Sequence, residues 1–122
     1  MKRPVWRYFG TREVLLARGW AAAGGVAVHE NLFRLRGHRA AHLLAQSEDE
    51  LLEAARSVGC REEWIHRTGT IHFDLILDNL ERALMKCGVD PASPPARRVW
   101  GQPGPGIAEG PEDVLFFRRA LE

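Results

Sequence analysis

The chain has few lysines, only two cysteines and almost no net charge. The scarcity of cysteine and the near-zero net charge each exclude particular kinds of protein. Its 122 residues carry a formal net charge of +1, so no overall field draws it to nucleic acid or to an anionic membrane. Cys60 and Cys87 form no C-x-x-C pair, which excludes a zinc knuckle and a thioredoxin motif. Both are interpreted as small buried hydrophobic residues rather than as a disulfide.

Long apolar segments and familiar motifs are also missing. No apolar run approaches the roughly 18 residues of a membrane span. No apolar stretch follows Lys2 and Arg3, so the sequence predicts no signal peptide, no membrane partner and a cytoplasmic location. The chain lacks a P-loop, a G-x-G-x-x-G and a G-x-S-x-G motif, which removes the usual signatures of nucleotide and serine-hydrolase sites.

The hydrophobic pattern predicts one small α/β domain over residues 1–122. We expect a short mixed sheet of three to five strands packed with three to four helices. The helices are predicted near residues 12–23, 48–58, 76–87 and 112–121. Expected N-caps are Thr11 for the first helix, Ser47 in a capping box with Glu50 for the second, and Asp74 or Asp78 for the third.

The C-terminal quarter is rich in proline and glycine. The sequence predicts no regular structure from Asp90 to Gly110, and this segment is interpreted as a lid, a partner arm or a tail that follows the surface. Residues 111–122 then predict a final helix that packs on its own domain or forms a homo-oligomer.

Five polar or aromatic residues stand at the ends of apolar runs, where a plain core does not need them. They are His42, Trp64, His72, Asp74 and Arg82. This placement predicts a shared polar pocket at the edge of the core. Trp64 would stack on a planar ligand or cover the rim of the core. Arg82 would meet a phosphate or carboxylate, or pair with Asp78.

His72 and Asp74 are the candidate catalytic pair. Residues two apart on a strand point to the same face, so the imidazole and the carboxylate could meet one ligand. Asp74 would then orient His72 as a general base, or both would bind a metal. In the structural alternative, Asp74 caps the following helix and His72 bonds a backbone carbonyl.

A metal site is a further alternative, although no cofactor is predicted. The strand that ends at His29 and Glu30 could lie beside the strand of His42. In that case His29 and Glu30 would join a set of nitrogen and oxygen donors that also contains His42, His72 and Asp74. No recognised metal spacing such as H-E-x-x-H is present. Separately, Arg34, Arg36, His38 and Arg39 form a basic cluster beside Phe33, which is either a phosphate-facing hairpin or a solvated surface.

Six short motifs follow one another in a fixed order between Val26 and Val89. They are Val26-Ala27-Val28-His29-Glu30, His42-Leu43-Leu44-Ala45, Asp49-Glu50-Leu51, Gly59-Cys60-Arg61-Glu62-Glu63-Trp64-Ile65, His72-Phe73-Asp74 and Arg82-Ala83-Leu84. This series resembles the bacterial and phage family called domain of unknown function 4031. The resemblance implies a compact α/β fold and a shared polar site but supplies no activity. The family's paired aspartates are His29-Glu30 here, and its lysine before R-A-L is Glu81.

Three functions follow from these observations. The first is a small protein that binds a phosphate-bearing ligand, either a nucleotide or a nucleic-acid end, in the predicted pocket. The second is a metal-dependent phosphoester hydrolase that uses His72 and Asp74. The third is a non-enzymatic interaction module that uses the proline-rich arm and the final helix.

Overall fold

A computed structural model describes residues 3–100, and these form a four-stranded mixed sheet with three helices. In chain order the elements are β1 (Trp6–Phe9), α1 (Val14–Ala22), β2 (Val26–Glu30), β3 (Ala40–Leu44), α2 (Glu48–Ser57), a 3-10 turn (Glu62–Trp64), β4 (Phe73–Ile76) and α3 (Leu77–Lys86). The predicted α/β class is confirmed, as are the first three predicted helices. The predicted helix at 112–121 lies outside the described residues.

The strands lie in the order in which they occur along the chain. β1 pairs parallel with β2, and the β2–β3 and β3–β4 pairs are antiparallel. A parallel neighbour requires a crossover connection, and α1 supplies it between β1 and β2. A turn joins β2 to β3 directly, whereas α2 lies between β3 and β4 in the chain.

Alternating side chains divide between the two faces of the sheet. One face is apolar except at Glu30 and packs under α2 and α3; Val28, Leu43 and Phe73 are fully buried there. The opposite face packs under α1, with Phe9, Trp20 and Ala27 in a second cluster. Since α1 packs mainly on β2 and β1, the β3–β4 half of this face is less covered.

Two of the three predicted helix caps are wrong. Ser47 is confirmed, because its hydroxyl accepts a hydrogen bond from the amide of Glu50 at 3.2 Å. The N-cap of α1 is Glu13 rather than Thr11. The N-cap of α3 is Ile76, which has no side-chain bond, so neither Asp74 nor Asp78 caps that helix. The carboxylate of Asp74 is therefore available for other contacts.

The chain returns to β1 after α3. Residues 90–100 contain no helix or strand. Their end is held by buried Glu13, whose carboxylate accepts hydrogen bonds from the amides of Val99 at 2.6 Å and Trp100 at 2.7 Å. Trp100 also stacks on Phe9. The rest of the proline-rich arm, and the homo-oligomer contact predicted for residues 111–122, lie outside the described residues.

The two cysteines are free thiols, as predicted. Burial raises the pKa of Cys60 to about 11 and the pKa of Cys87 to about 12. Both thiols are therefore protonated near neutral pH and are poor nucleophiles. None of the helices between residues 3 and 100 has the length and apolar character needed to cross a membrane.

Candidate metal centre

A polar row crosses three strands on the less covered face. His29 on β2 pairs with His42 on β3, and His42 pairs with Asp74 on β4. Directly opposed residues in antiparallel strands have Cβ atoms about 5 Å apart on the same face. The strand register therefore brings together three residues that are far apart in the sequence.

A second pairing adds two more imidazoles. His66 and His72 form an antiparallel bridge, with amide-to-carbonyl hydrogen bonds of 2.9 and 3.1 Å. The intervening chain turns at Gly69, whose φ of +69° is unfavourable for other residues. The bridge leads directly into β4, so both rings lie beside Asp74.

Three imidazoles share the carboxylate of Asp74. Oδ1 lies 3.4 Å from Nε2 of His42 and 3.5 Å from Nε2 of His72, while Oδ2 lies 3.1 Å from Nε2 of His66. The His72 ring centroid is 4.9 Å from that of His42 and 5.1 Å from that of His66. We call these four residues the His/Asp cluster. The side chain of Asp74 is 24% exposed, so the cluster is reachable from solvent.

The hydrogen bond at Nδ1 of His72 determines whether Nε2 of the same ring carries a proton. Nδ1 lies 2.8 Å from the carbonyl oxygen of Thr70. A carbonyl only accepts, so Nδ1 carries the proton, and in the neutral ring Nε2 is then a bare lone pair. That lone pair faces a carboxylate oxygen, which is unfavourable unless a proton or a cation lies between them. Histidines that ligate metals commonly donate their other N–H to a carbonyl in this way.

The distances favour the cation over the proton. A charge-assisted N–H···O bond is about 2.8 Å long, which is well below the separations of Asp74 from His42 and His72. By contrast, zinc–nitrogen and zinc–oxygen bonds of about 2.0–2.1 Å place tetrahedral ligand atoms about 3.3 Å apart. One ligand atom from each of His42, His72 and Asp74 lies within 4.8 Å of the others. The three side chains thus have the donor types and the spacing of a divalent metal site.

Electrostatics also favour a neutral ring at His42. Burial lowers the pKa of His42, and the neighbouring His72 lowers it further, while Asp74 opposes the change. A metal binds the neutral imidazole rather than the imidazolium. His42 is therefore in the form that a metal needs near neutral pH.

His29 extends the row toward the interior. It is 7% exposed, and its ring centroid lies 6.0 Å from that of His42. Its Nε2 lies 3.3 Å from the carbonyl oxygen of Thr11, while its buried Nδ1 has no hydrogen-bond partner among the described residues. Burial lowers the pKa of His29. The neutral ring therefore presents an unsatisfied acceptor beside the cluster, which is costly unless a ligand or a water uses it.

Three of the sequence-predicted site residues lie elsewhere. Glu30 is fully buried on the α2–α3 face, where it accepts hydrogen bonds from Tyr8 and Arg39. Arg82 is on α3, and its guanidinium extends to Gly59, just after α2, where Nη1 lies 2.8 Å from the position that a Cβ would take. Trp64 is 47% exposed, lies under the guanidinium of Arg61, and belongs to the 3-10 turn that contacts α2. The predicted single pocket of five residues is therefore not formed.

Sequence reasoning missed His66. The available signal was the Thr68-Gly69-Thr70 turn, since a tight turn centred there places residue 66 opposite residue 72. The bridging pair follows from that turn, but the contact with Asp74 depends on tertiary packing.

Comparison with known proteins identifies the family. A family model described as "Protein of unknown function (DUF4031)" matches residues 26–100, more than half of the chain. The chain therefore belongs to this family, as its ordered motifs suggested, and the match continues past residue 89 to Trp100. The searches of curated proteins and of solved structures gave no match.

Proposed function

We propose that this protein binds one divalent transition metal at the His/Asp cluster and hydrolyses a phosphoester there. His42, His72 and Asp74 are the ligands, and His66 is the fourth side chain at the site. The observation that carries the proposal is the fixed tautomer of His72, whose Nε2 lone pair is directed at a carboxylate. A structural histidine has no need of that arrangement, whereas a metal ligand does.

The donor set indicates the class of metal. Two or three imidazole nitrogens with one carboxylate oxygen suit zinc, cobalt or manganese better than magnesium or calcium, which prefer oxygen ligands. Three protein ligands and a partly exposed position also leave room for water, as in catalytic rather than structural sites.

The chemistry follows from these ligands. A bound metal of this class lowers the pKa of its water and polarises a phosphoryl oxygen. Asp74 holds the site together through both oxygens, because Oδ2 engages His66 while Oδ1 faces His42 and His72. His29 Nδ1 is the nearby acceptor that has no partner within residues 3–100, so it is suited to accept a hydrogen bond from water.

The phosphoester class rests on the surroundings of the cluster. The β2–β3 connection begins at Asn31, two residues after His29, and carries Arg34, Arg36 and His38 in exposed positions. Arginine favours bidentate phosphate contacts. Binding of a phosphate-bearing ligand without turnover remains the second candidate, because the same cations support it.

The first test is metal binding by the full-length protein. After chelator treatment, titration with zinc, cobalt and manganese should give one equivalent bound, and cobalt should give a visible absorption band of tetrahedral type. His72→Ala and Asp74→Asn should weaken binding by at least about 100-fold, since even outer-shell changes cost 10–100-fold. His38→Ala is the matched control, because it removes an exposed histidine from outside the cluster.

Turnover is measured on the same proteins. Hydrolysis of p-nitrophenyl phosphate and of its bis ester should require the metal and disappear in His72→Ala while the circular dichroism spectrum is unchanged. Metal binding without turnover would leave only the ligand-binding function. If the wild-type protein binds no metal, or His38→Ala loses binding as fully as His72→Ala, the metal centre is wrong.

A further inference from the structure

The connection between β2 and β3 has a defined and strained turn at its tip. Leu35 and His38 pair through two backbone hydrogen bonds of 2.9 Å. The two residues between them have positive φ values, +52° at Arg36 and +78° at Gly37. Asn, Asp or Gly normally occupies the first of these positions, because other side chains are strained there. Strained residues of this kind cluster at ligand-binding and active sites, so the tip of this turn is a candidate binding position.

The same connection exposes apolar side chains beside its cations. We call residues 31–39 the basic turn. Leu32 is 69% exposed and Phe33 is 74% exposed, and they are followed by exposed Arg34, Arg36 and His38. Single exposed hydrophobic residues are common, but two consecutive ones next to a cationic tip form a patch that suits a ligand.

No acidic side chain within the basic turn balances its positive charge. Residues 31–39 contain no acidic residue. Arg39 is neutralised by the adjacent Glu30 through a contact of 2.7 Å, whereas Arg34 makes its contact with the backbone carbonyl of Gly37 at 3.1 Å. The near-zero net charge of the chain therefore conceals a local patch that attracts anions.

We propose that the basic turn binds single-stranded nucleic acid, with Phe33 stacking on a base and Arg34 and Arg36 contacting the phosphates. Exposed aromatic rings beside cations are how proteins hold single strands without reading their sequence. A membrane surface fits less well, since membrane-binding basic segments have about four to eight Lys or Arg residues. The inference rests on the proposed hydrolase and names its substrate class.

The position of the turn relative to the cluster supports this assignment. His38 and His42 are four residues apart at the start of β3, which corresponds to about 13 Å of extended chain. A single strand of nucleic acid that is bound at the turn would therefore reach the His/Asp cluster within a few nucleotides. The turn would place the phosphodiester, and the His/Asp cluster would act on it.

The test measures binding to fluorescein-labelled oligothymidylate and oligouridylate by anisotropy, with the full-length protein in EDTA. Phe33→Ala should weaken binding about tenfold. Arg36→Gly should weaken binding and lower the slope of affinity against salt by about one. Glycine suits the positive φ, so Arg36→Gly should not lower the melting temperature. Arg56→Ala is the matched control, because it removes an exposed arginine from α2 on the other side of the sheet.

The outcomes separate this inference from the proposed function. Because binding is measured in EDTA, it reports on the turn without a bound metal. Metal binding with turnover of p-nitrophenyl esters but no oligonucleotide binding would overturn the basic turn alone. Equal weakening by Arg56→Ala, or tighter binding to phosphatidylserine vesicles than to either oligonucleotide, would also overturn it. Oligonucleotide binding by a protein that binds no metal would support the turn and reject the metal centre.

Discussion

Glu30 and Asp74 are carboxylates on opposite faces of one sheet, and their surroundings differ in kind. Glu30 is fully buried, and its oxygens accept hydrogen bonds from the side chains of Tyr8 and Arg39. The hydroxyl of Tyr8 donates at 2.6 Å, and Arg39 donates from Nη2 at 2.7 Å and from Nε at 3.1 Å. Asp74 is partly exposed and faces three imidazoles at 3.1–3.5 Å, at least one of which, in its neutral form, presents a lone pair.

We call Tyr8, Glu30 and Arg39 the Glu30 cluster; it holds residues 93–96 against the sheet rather than binding a ligand. Arg39 also donates to the carbonyl oxygen of Ser93 at 2.8 Å, and Tyr8 accepts from the amide of Ala96 at 3.0 Å. Burial, together with Glu30, raises the pKa of Tyr8 to about 12, so the phenol remains a neutral donor. Every strong polar group of this cluster is therefore matched inside the protein.

The contrast teaches how a buried charge and a binding site can be told apart. A structural carboxylate is surrounded by donors, because an unmatched buried charge is very costly. A carboxylate that faces the lone pair of an imidazole is incomplete without a cation. By this criterion Glu30 is a structural residue and Asp74 is a metal ligand, although both are acids at the ends of apolar runs.

The largest expected effect separates the two carboxylates by stability. Glu30→Gln leaves the guanidinium of Arg39 without its charge partner and should cost about 3 kcal/mol of unfolding free energy, since breaking a buried pair costs roughly 3–5 kcal/mol. Asp74→Asn should change the metal-free protein by less than about 0.5 kcal/mol, as a surface substitution does. Urea denaturation of both variants in EDTA measures the difference. Equal losses would mean that both carboxylates are structural.

A smaller effect tests the closed cluster from its other end. Tyr8→Phe removes one donor from Glu30 and one acceptor from the amide of Ala96, so it should cost about 1–2 kcal/mol. Metal affinity should be unchanged, because Tyr8 lies on the opposite face of the sheet from the His/Asp cluster. Urea denaturation and a zinc titration of the same variant give the two values. A loss of metal affinity would show that the two faces are coupled.

The fold was largely accessible from the sequence, because local patterns carry it. Helical spacing places the first three helices within a few residues of their observed bounds, and the four strands of the described residues fall within the predicted three to five. The Ser47 cap is local in the same sense, because donor and acceptor are three residues apart. The Thr11 cap failed since Glu13, two residues later, is buried and bonded to residues 99 and 100.

The candidate site was accessible only in part, because register decides it. His72 and Asp74 lie on one face as their spacing indicates, and His42 joins them through strand pairing. The adjacent residues His29 and Glu30 looked equivalent in the sequence, yet alternation sends them to opposite faces of β2. Whether Arg82 and Trp64 belonged to the site depended on the placement of α3 and of the 3-10 turn, which no local pattern specifies.

The smallest expected effect is a pH dependence of the unfolding free energy that arises from His29 and His42 in the polar row and not from the Glu30 cluster. His29 and His42 have pKa values below the ordinary 6.5, chiefly because of burial. The unfolded chain therefore takes up protons first as the pH falls. Stability should be unaffected above about pH 7.5 and should decline as the pH falls through 6.5, until the folded-state pKa values are reached.

Unfolding free energies in EDTA between pH about 7.5 and about 5.5 measure this slope. His29→Gln should flatten it, since the amide does not titrate. Tyr8→Phe should lower stability equally at both ends of the range, because the phenol does not ionise there. Bound zinc should increase the slope, because protons compete with the metal for the cluster nitrogens. If His29→Gln keeps the full slope, the pH dependence does not arise from His29.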